Sequence, residues 1–431
     1  MQRRKFLTLA GGGVILAATA AVGKIATRSP TGAFEPWDNA GLRYTEPRMK
    51  ALSYAILAPN PHNQQPWLVD LSAPDQVVLK VDPQRLLPHT DPLNRQITIG
   101  LGCFLELMVM AAAEDGFAVD LEVFPDGSDL TRLDERPVAI ATFRADARIV
   151  SDPLFTHVMN RRSNKKPFDV TRPVAQGTIT TIAASAIHGS RVTGDASVES
   201  VAALRQLTTE ALIIEIDTPD TFKESVDLFR IGKAEIEANP DGIDFSGPMF
   251  ETLGALGLMT REGTLDPKST MFAQGKTAVL ENTQTAMAHL WQTTPGNTRA
   301  DQITAGRDWV RLNLAAAGAR VDMQPLSQAL QEYPEMEAHY RKAHQMLARE
   351  GETVQMLCRL GYGPQVGRSP RWPLEAKMIR GMHVRSGQSA ISVFQRGCDY
   401  QPTEQRDVSG TLARRNACIA FLSPQSSGQA W

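Results

Sequence analysis

Apolar positions along the chain change their period several times, and each change marks an element. Residues 49–57 keep apolar side chains at helical spacing and stop at Ala58, Pro59, Asn60 and Pro61, where two prolines forbid continuation. Residues 67–71, 77–81, 119–124 and 138–143 alternate apolar and polar and are rich in β-branched side chains, which predicts strands. Between the second and third of these, 97–113 is a nearly unbroken apolar stretch that reads as a helix ending at Gly116. The order is βαβ-like and makes a first half, 48–148. A second half, 149–378, opens with a helical segment at 153–160. It continues with an amphipathic helix carrying Val201, Leu204, Leu207, Ala211 and Leu212 on one face. A further helix, 303–318, packs through Ile303, Gly306, Val310, Asn313 and Leu314.

Three stretches fall outside this regularity. Residues 236–276 are dense in Gly, Pro and Met and poorly periodic, yet Phe245, Phe250, Leu253 and Leu256 need covering. They read as an insertion, either a lid over the site or an extra helical hairpin packed on the outside. Residues 29–47 read as a linker, and 379–431, polar and without period, as a disordered tail. No internal repeat is visible as sequence identity.

The first 28 residues are an address. QRRKFLT at 2–8 matches the twin-arginine consensus, followed by a Gly- and Ala-rich apolar run at 7–22, too short for a dedicated membrane helix. Small residues around Ala18 and Ala20 could be cleaved; an uncleaved anchor is the alternative. The expected partner is the twin-arginine export machinery. The expected location is periplasmic, or anchored on the outer side of the cytoplasmic membrane. Such export carries folded proteins, which suits a chain that takes up its cofactor in the cytoplasm.

Charge and composition narrow the remaining choices. The 431 residues carry a net charge of −2. Without the first 28 the balance is 40 basic against 47 acidic residues, which argues against nucleic acid. Cys103, Cys358, Cys398 and Cys418 are scattered with no metal spacing, and no metal is expected. Cys103 lies in an apolar helix and reads as a core residue. Gly100 and Gly102 begin like a dinucleotide fingerprint, but Leu105 breaks it and helix packing accounts for both. His339 and His344, five apart, read as solvated side chains on different helix faces.

Three segments point to one chemistry. APNPHNQQPW at 58–67 resembles the A-P-S-x-x-N-x-Q-P-W segment of the nitroreductase superfamily, whose amides hydrogen-bond the isoalloxazine ring of FMN. Asn63 and Gln65 match, and Asn60 stands where Ser is usual. RRSNK at 161–165 resembles the segment that clamps the FMN phosphate, which would assign Arg161, Arg162, Ser163 and Lys165 to it. LGYGP at 360–364, followed by Arg368, Arg371 and PLE at 373–375, resembles the closing segment whose basic residues return to the same phosphate.

The resemblance covers roughly 48–378. It implies an α+β, nitroreductase-like fold in which two fused halves form a pseudo-dimer of sheets flanked by helices. The amide motif lies in one half and the phosphate motifs in the other. The resemblance therefore implies one FMN at a composite site, in a monomer of the Acg-type tandem branch. The function it implies is FMN-dependent electron or hydride transfer between a small-molecule donor and acceptor. No catalytic side chain is assigned. The alternatives are a non-catalytic protein that stores or sequesters FMN, and a scaffold that has lost it.

Overall fold

The computed structural model describes residues 30–379; the twin-arginine segment and nearly all of the C-terminal tail lie outside them. The first half opens with a 3-10 turn at Gly32–Phe34, then α1 (Glu35–Asp38) and α2 (Pro47–Ala55). β1 (Trp67–Asp70) and β2 (Gln76–Val81) lead to α3 (Arg95–Glu114), followed by β3 (Phe117–Val123) and β4 (Ala139–Ala145). The expected linker is thus built into the fold at its start, with Ala33 and Trp37 buried.

The second half opens with a 3-10 segment, Pro153–Asn160, and runs α4 (Gln176–Ala183), β5 (Arg191–Asp195), α5 (Val198–Asp217) and α6 (Pro219–Asp227). An interlude of β6 (Phe229–Ile231), α7 (Gly232–Ala238), β7 (Ile243–Phe245), α8 (Pro248–Ala255), α9 (Arg261–Leu265) and α10 (Thr270–Gln284) follows. β8 (Ala288–Thr294), α11 (Arg299–Gly318), β9 (Asp322–Pro325), α12 (Glu337–Leu347) and β10 (Thr353–Gly361) complete it. The aperiodic stretch at 236–276 is therefore largely helical.

Two four-stranded antiparallel sheets result, ordered β1-β2-β4-β3 and β5-β8-β10-β9. Both have one topology. In each, a long helix joins two strands that point the same way, and an antiparallel strand lies between them. The first half is a split βαβ unit rather than a plain one: β4 separates β2 from β3. The two crossover helices share a pattern that overall identity conceals. Arg95, Ile99, Gly102 and Ala111 of α3 stand at the same places as Arg299, Ile303, Gly306 and Ala315 of α11.

These two helices cross at the centre of the molecule, where backbone meets backbone. A Cβ on Gly102 would lie 2.4 Å from the Ile303 carbonyl oxygen and 2.9 Å from the Gly306 Cα. Only glycine permits that approach. One hydrophobic core runs through both halves, from Trp67 and Phe104 to Trp309 and Met356. α3 is apolar enough to cross a membrane, with a mean hydropathy of 1.7, but its most apolar window is 89% buried and it is the core helix. Cys103 belongs to that core, its thiol donating to the Gly306 carbonyl at 3.1 Å.

The second sheet is covered twice. α3 and α11 lie on one face; Leu204, Leu207 and Ala211 of α5 and Ala343 and Leu347 of α12 pack with Trp291 and Leu357 on the other. His339 and His344 are not solvated side chains there. His339 pairs with Glu210 at 3.2 Å, and the Nε2 of His344 accepts from the Val354 N–H at 3.0 Å.

Candidate functional site

Three loops converge beside the N-terminal turn. The first follows α2, where Pro59 and Pro61 end the helix and a 3-10 turn, Pro61–Asn63, carries the chain to β1. His62, Asn63 and Gln65 all hold positive φ, at 47°, 53° and 51°. Such strain in non-glycine residues persists only where the surroundings impose it. Asn60 imposes part of it: its Oδ1 accepts from the Gln65 N–H at 2.7 Å and its amide donates to the Ala58 carbonyl.

The second loop, 161–166, follows the Pro153–Asn160 turn. Its backbone is fixed by Arg359 of β10, which donates to the Lys166 carbonyl at 2.7 Å and the Asn164 carbonyl at 3.4 Å. The Arg359 guanidinium lies 3.7 Å from the centroid of the Phe168 ring. The ring in turn rests on Gly361, where a Cβ would come within 2.3 Å of it. The third loop runs from Gly361 to Leu374. It crosses back to the first half, and Ile379 beyond it bonds to Val69 on the edge of the first sheet.

Where they meet, a cleft is lined by Asn60, Asn63, Arg161, Arg162, Ser163 and Arg371, with Trp37, Pro59, Gly367 and Ser369 completing its wall. Six of the nine candidate residues are brought together there. Arg161 donates to the Leu57 carbonyl at 3.1 Å. Arg371 donates to the carbonyls of Ile56, Leu57 and Ala58 and to Asn63 Oδ1, the last at 2.6 Å. Among the described residues none of Arg161, Arg162 and Arg371 forms an ion pair. Burial, reinforced by Arg162, lowers Arg161 to about 10. Burial, reinforced by Arg368, lowers Arg162 to about 10. Burial pushes Arg371 well below its usual range, with Arg161 adding to it. Guanidiniums held close, desolvated and without a counter-ion are a standing electrostatic cost, and an anion in the cleft relieves it.

The other three candidates stand elsewhere. Arg368 pairs with Asp38 at 2.5 Å, its guanidinium carbon 5.8 Å from the centroid of the Trp37 ring. Gln65 is fully buried and engaged: its amide donates to the Pro240 carbonyl at 2.8 Å and its Oε1 accepts from the Trp372 N–H at 2.9 Å. Lys165 does not line the cleft. Burial lowers it to about 8, against the attraction of Asp244 and Glu215. Those two acids are themselves raised by burial, to about 8 and about 7.

Several residues that shape the site carry no motif. Lys377 donates to the Gln65 carbonyl at 2.7 Å and is lowered by burial to about 7. Asp241, in the interlude between α7 and β7, accepts from Arg85, Arg230 and Trp372. The neighbouring Gly242 N–H bonds to the Asn63 carbonyl at 3.3 Å. The interlude is thus tied to the amide loop at its near end. Its middle, between α8 and α9, exposes Leu256 and Leu258.

No protein-family model matches the chain. Two Mycobacterium tuberculosis proteins, each provisionally named an NAD(P)H nitroreductase, are similar to part of it. With acg it shares 31% identity over 125 residues, 27% of this chain and 34% of that protein. With Rv3131 it shares 30% over 138 residues, 32% of this chain and 38% of that protein. Among solved structures, the chain is loosely similar to a nitroreductase with bound FMN from Bacteroides fragilis. That likeness has 11% identity and a TM-score of 0.29, and covers 56% of this chain and 100% of the other. The nitroreductase NfnB of Mycobacterium smegmatis, in complex with NADPH, gives 16% and 0.30, covering 50% and 92%. The chain spans about a third of the length of the curated relatives it matches, and over that third it is similar to proteins of the nitroreductase superfamily.

Proposed function

We propose that the chain is an FMN-dependent oxidoreductase of nitroreductase type that binds one flavin at a site built from both halves. The observation that carries this reading is the cleft in which Arg161, Arg162 and Arg371 converge without a carboxylate among the described residues. A phosphate monoester dianion fits that set: the N–H groups of Arg161 and Arg162 not spent on backbone carbonyls, the Ser163 hydroxyl beside them, and the buried charge of Arg371, whose own N–H groups are all engaged within the fold. Asn60 and Asn63 enter the same cleft from the first half, so the two halves complement one another.

Bound FMN supplies hydride and electron transfer. The chain's own part is to hold the phosphate, to present the strained 60–65 loop towards the ring, and to exclude water through the buried walls. Asn63 and Gln65 serve there as braces: one bonds Arg371, the other ties Trp372 to the interlude. The names of the sequence relatives make NAD(P)H the donor class to test first. Export in folded form through the twin-arginine route belongs to the same reading. Replacing Arg3 and Arg4 by lysine and fractionating the cells tests it, and normal export of the variant sinks it.

The function itself is read by titrating flavin-free protein with FMN. The expected stoichiometry is one per chain; a value near two overturns the composite site. Arg161→Ala together with Arg371→Ala should weaken FMN by about a hundredfold or more, since each charge-assisted bond contributes about 1.5–3 kcal/mol. Arg161→Ala alone is the cleaner variant, because Arg371 also braces four carbonyls of the fold. Stopped-flow reduction of the bound flavin by NADPH then separates an enzyme from a storage protein.

A further inference from the structure

Trp37 belongs to no motif, and in sequence it falls within an apparent linker. In the fold it is 1% exposed, forms part of the cleft wall, and stands among the basic residues. The guanidinium carbons of Arg162, Arg371 and Arg368 lie 5.2, 5.5 and 5.8 Å from the indole centroid. Its own N–H donates to the Ser369 carbonyl at 2.9 Å, so the ring is fixed to the loop that carries Arg368 and Arg371. The segment bearing it is fixed to the same loop, since the Arg371 N–H donates to the Ala33 carbonyl at 2.9 Å.

We propose that Trp37 is a positioning residue of the anion cleft: its indole holds the charges of Arg162 and Arg371 together at the cleft wall, poised for a phosphate monoester, while Arg368, paired with Asp38, lies by the same ring outside the cleft lining. The proposal rests on the FMN reading above. Its physical basis is the ring quadrupole. Each cation is attracted to the aromatic ring, which offsets part of the repulsion among them. A carboxylate at the same place would do this more strongly, but it would occupy the N–H donors and expel the ligand. An indole leaves the charges of Arg162 and Arg371 unneutralised, and the Arg162 donors not spent on the Met159 and Arg161 carbonyls stay available. The nearby carboxylate, Asp38, pairs with Arg368 and is itself largely exposed.

The consequence is selective. Trp37 should matter for the phosphate of FMN and not for its ring, so comparing FMN with riboflavin isolates it. In the full-length protein, Trp37→Leu is expected to weaken FMN about tenfold or more while changing riboflavin by less than about twofold. Inorganic phosphate should likewise compete less well with FMN in that variant. Trp37→Phe keeps a π face and should recover most of the loss, which a purely steric role for the indole does not predict. FMN binding unchanged in Trp37→Leu overturns the proposal, as does an equal loss of FMN and riboflavin in both variants. Wild-type protein that does not prefer FMN over riboflavin overturns the phosphate reading beneath it, a distinct failure visible before any variant is made.

Discussion

At the scale of single residues, the site depends on groups whose partners are distant in the chain. Arg161 and Arg371 could be picked out because they sit in short motifs. Lys377, Asp241, Arg359 and Trp37 could not. Lys377 reaches Gln65, Asp241 reaches Arg85 and Trp372, and no local pattern encodes such pairs. Asp244 of β7 was equally invisible. It is buried, with a backbone N–H and the Ser246 side chain both favouring its charged form. Burial outweighs the attraction of Lys165 and Arg371 and raises it to about 8. The folded protein therefore holds a proton there that the unfolded chain releases near its ordinary value of 3.8. Stability from this group is fully present below the unfolded value and is lost as pH rises towards the folded one. Asp244→Asn, which mimics the protonated acid, should flatten the fall in stability between about pH 4 and 8. Urea midpoints of both proteins across that window check it. Parallel curves would mean that Asp244 ionises normally in the fold.

At the scale of elements, legibility followed exposure. β2 alternates buried and half-buried residues, and β4 does so until its exposed end, because one face of the first sheet lies on the core and the other is more open. Those strands show the period-two pattern and were readable. All seven residues of β8 are buried, and β10 is buried along nearly its whole length, since helices cover both faces of the second sheet. With His289, Gln292, Gln355 and Arg359 among them, neither strand alternates, and both escaped the sequence pattern. The helix crossing offers a sharp test of packing against propensity. Gly102→Ala gains about 1 kcal/mol of helix propensity. It must then push its methyl into the backbone of α11, which should cost more and leave the protein about 1–3 kcal/mol less stable. Gly275→Ala, in α10 with nothing within 4 Å of its Cβ, should stabilise by up to about 1 kcal/mol. Thermal melting of the pair checks this. Equal behaviour would show that the crossing yields easily.

At the scale of the whole molecule, the two sheets, the shared core and the cleft between the loops make one unit. We propose that the stretch at 236–276 is a lid: Gly242 ties it to the amide loop at one end and Lys276 pairs with Asp217 at the other, while Leu256 and Leu258 between them are exposed. Replacing 245–259 by a short Gly/Ser linker should leave FMN bound and speed its reduction by small donors. Loss of flavin, or an unchanged rate in stopped flow, would make the segment packing and not a gate. By itself the sequence determined the α+β class, α2, α3 and the four strands of the first half, and six of the residues that line the basic cleft. These are local: strand alternation, helix-ending prolines and charge runs need only near neighbours. Only the tertiary structure decided that the apparent linker delivers Trp37 into the cleft and that two sheets of equal topology share a core. It also decided that Gln65 is a brace and that Lys165 faces buried acids. Those facts depend on which surfaces meet across two or three hundred residues of chain, and burial, not local pattern, settles that.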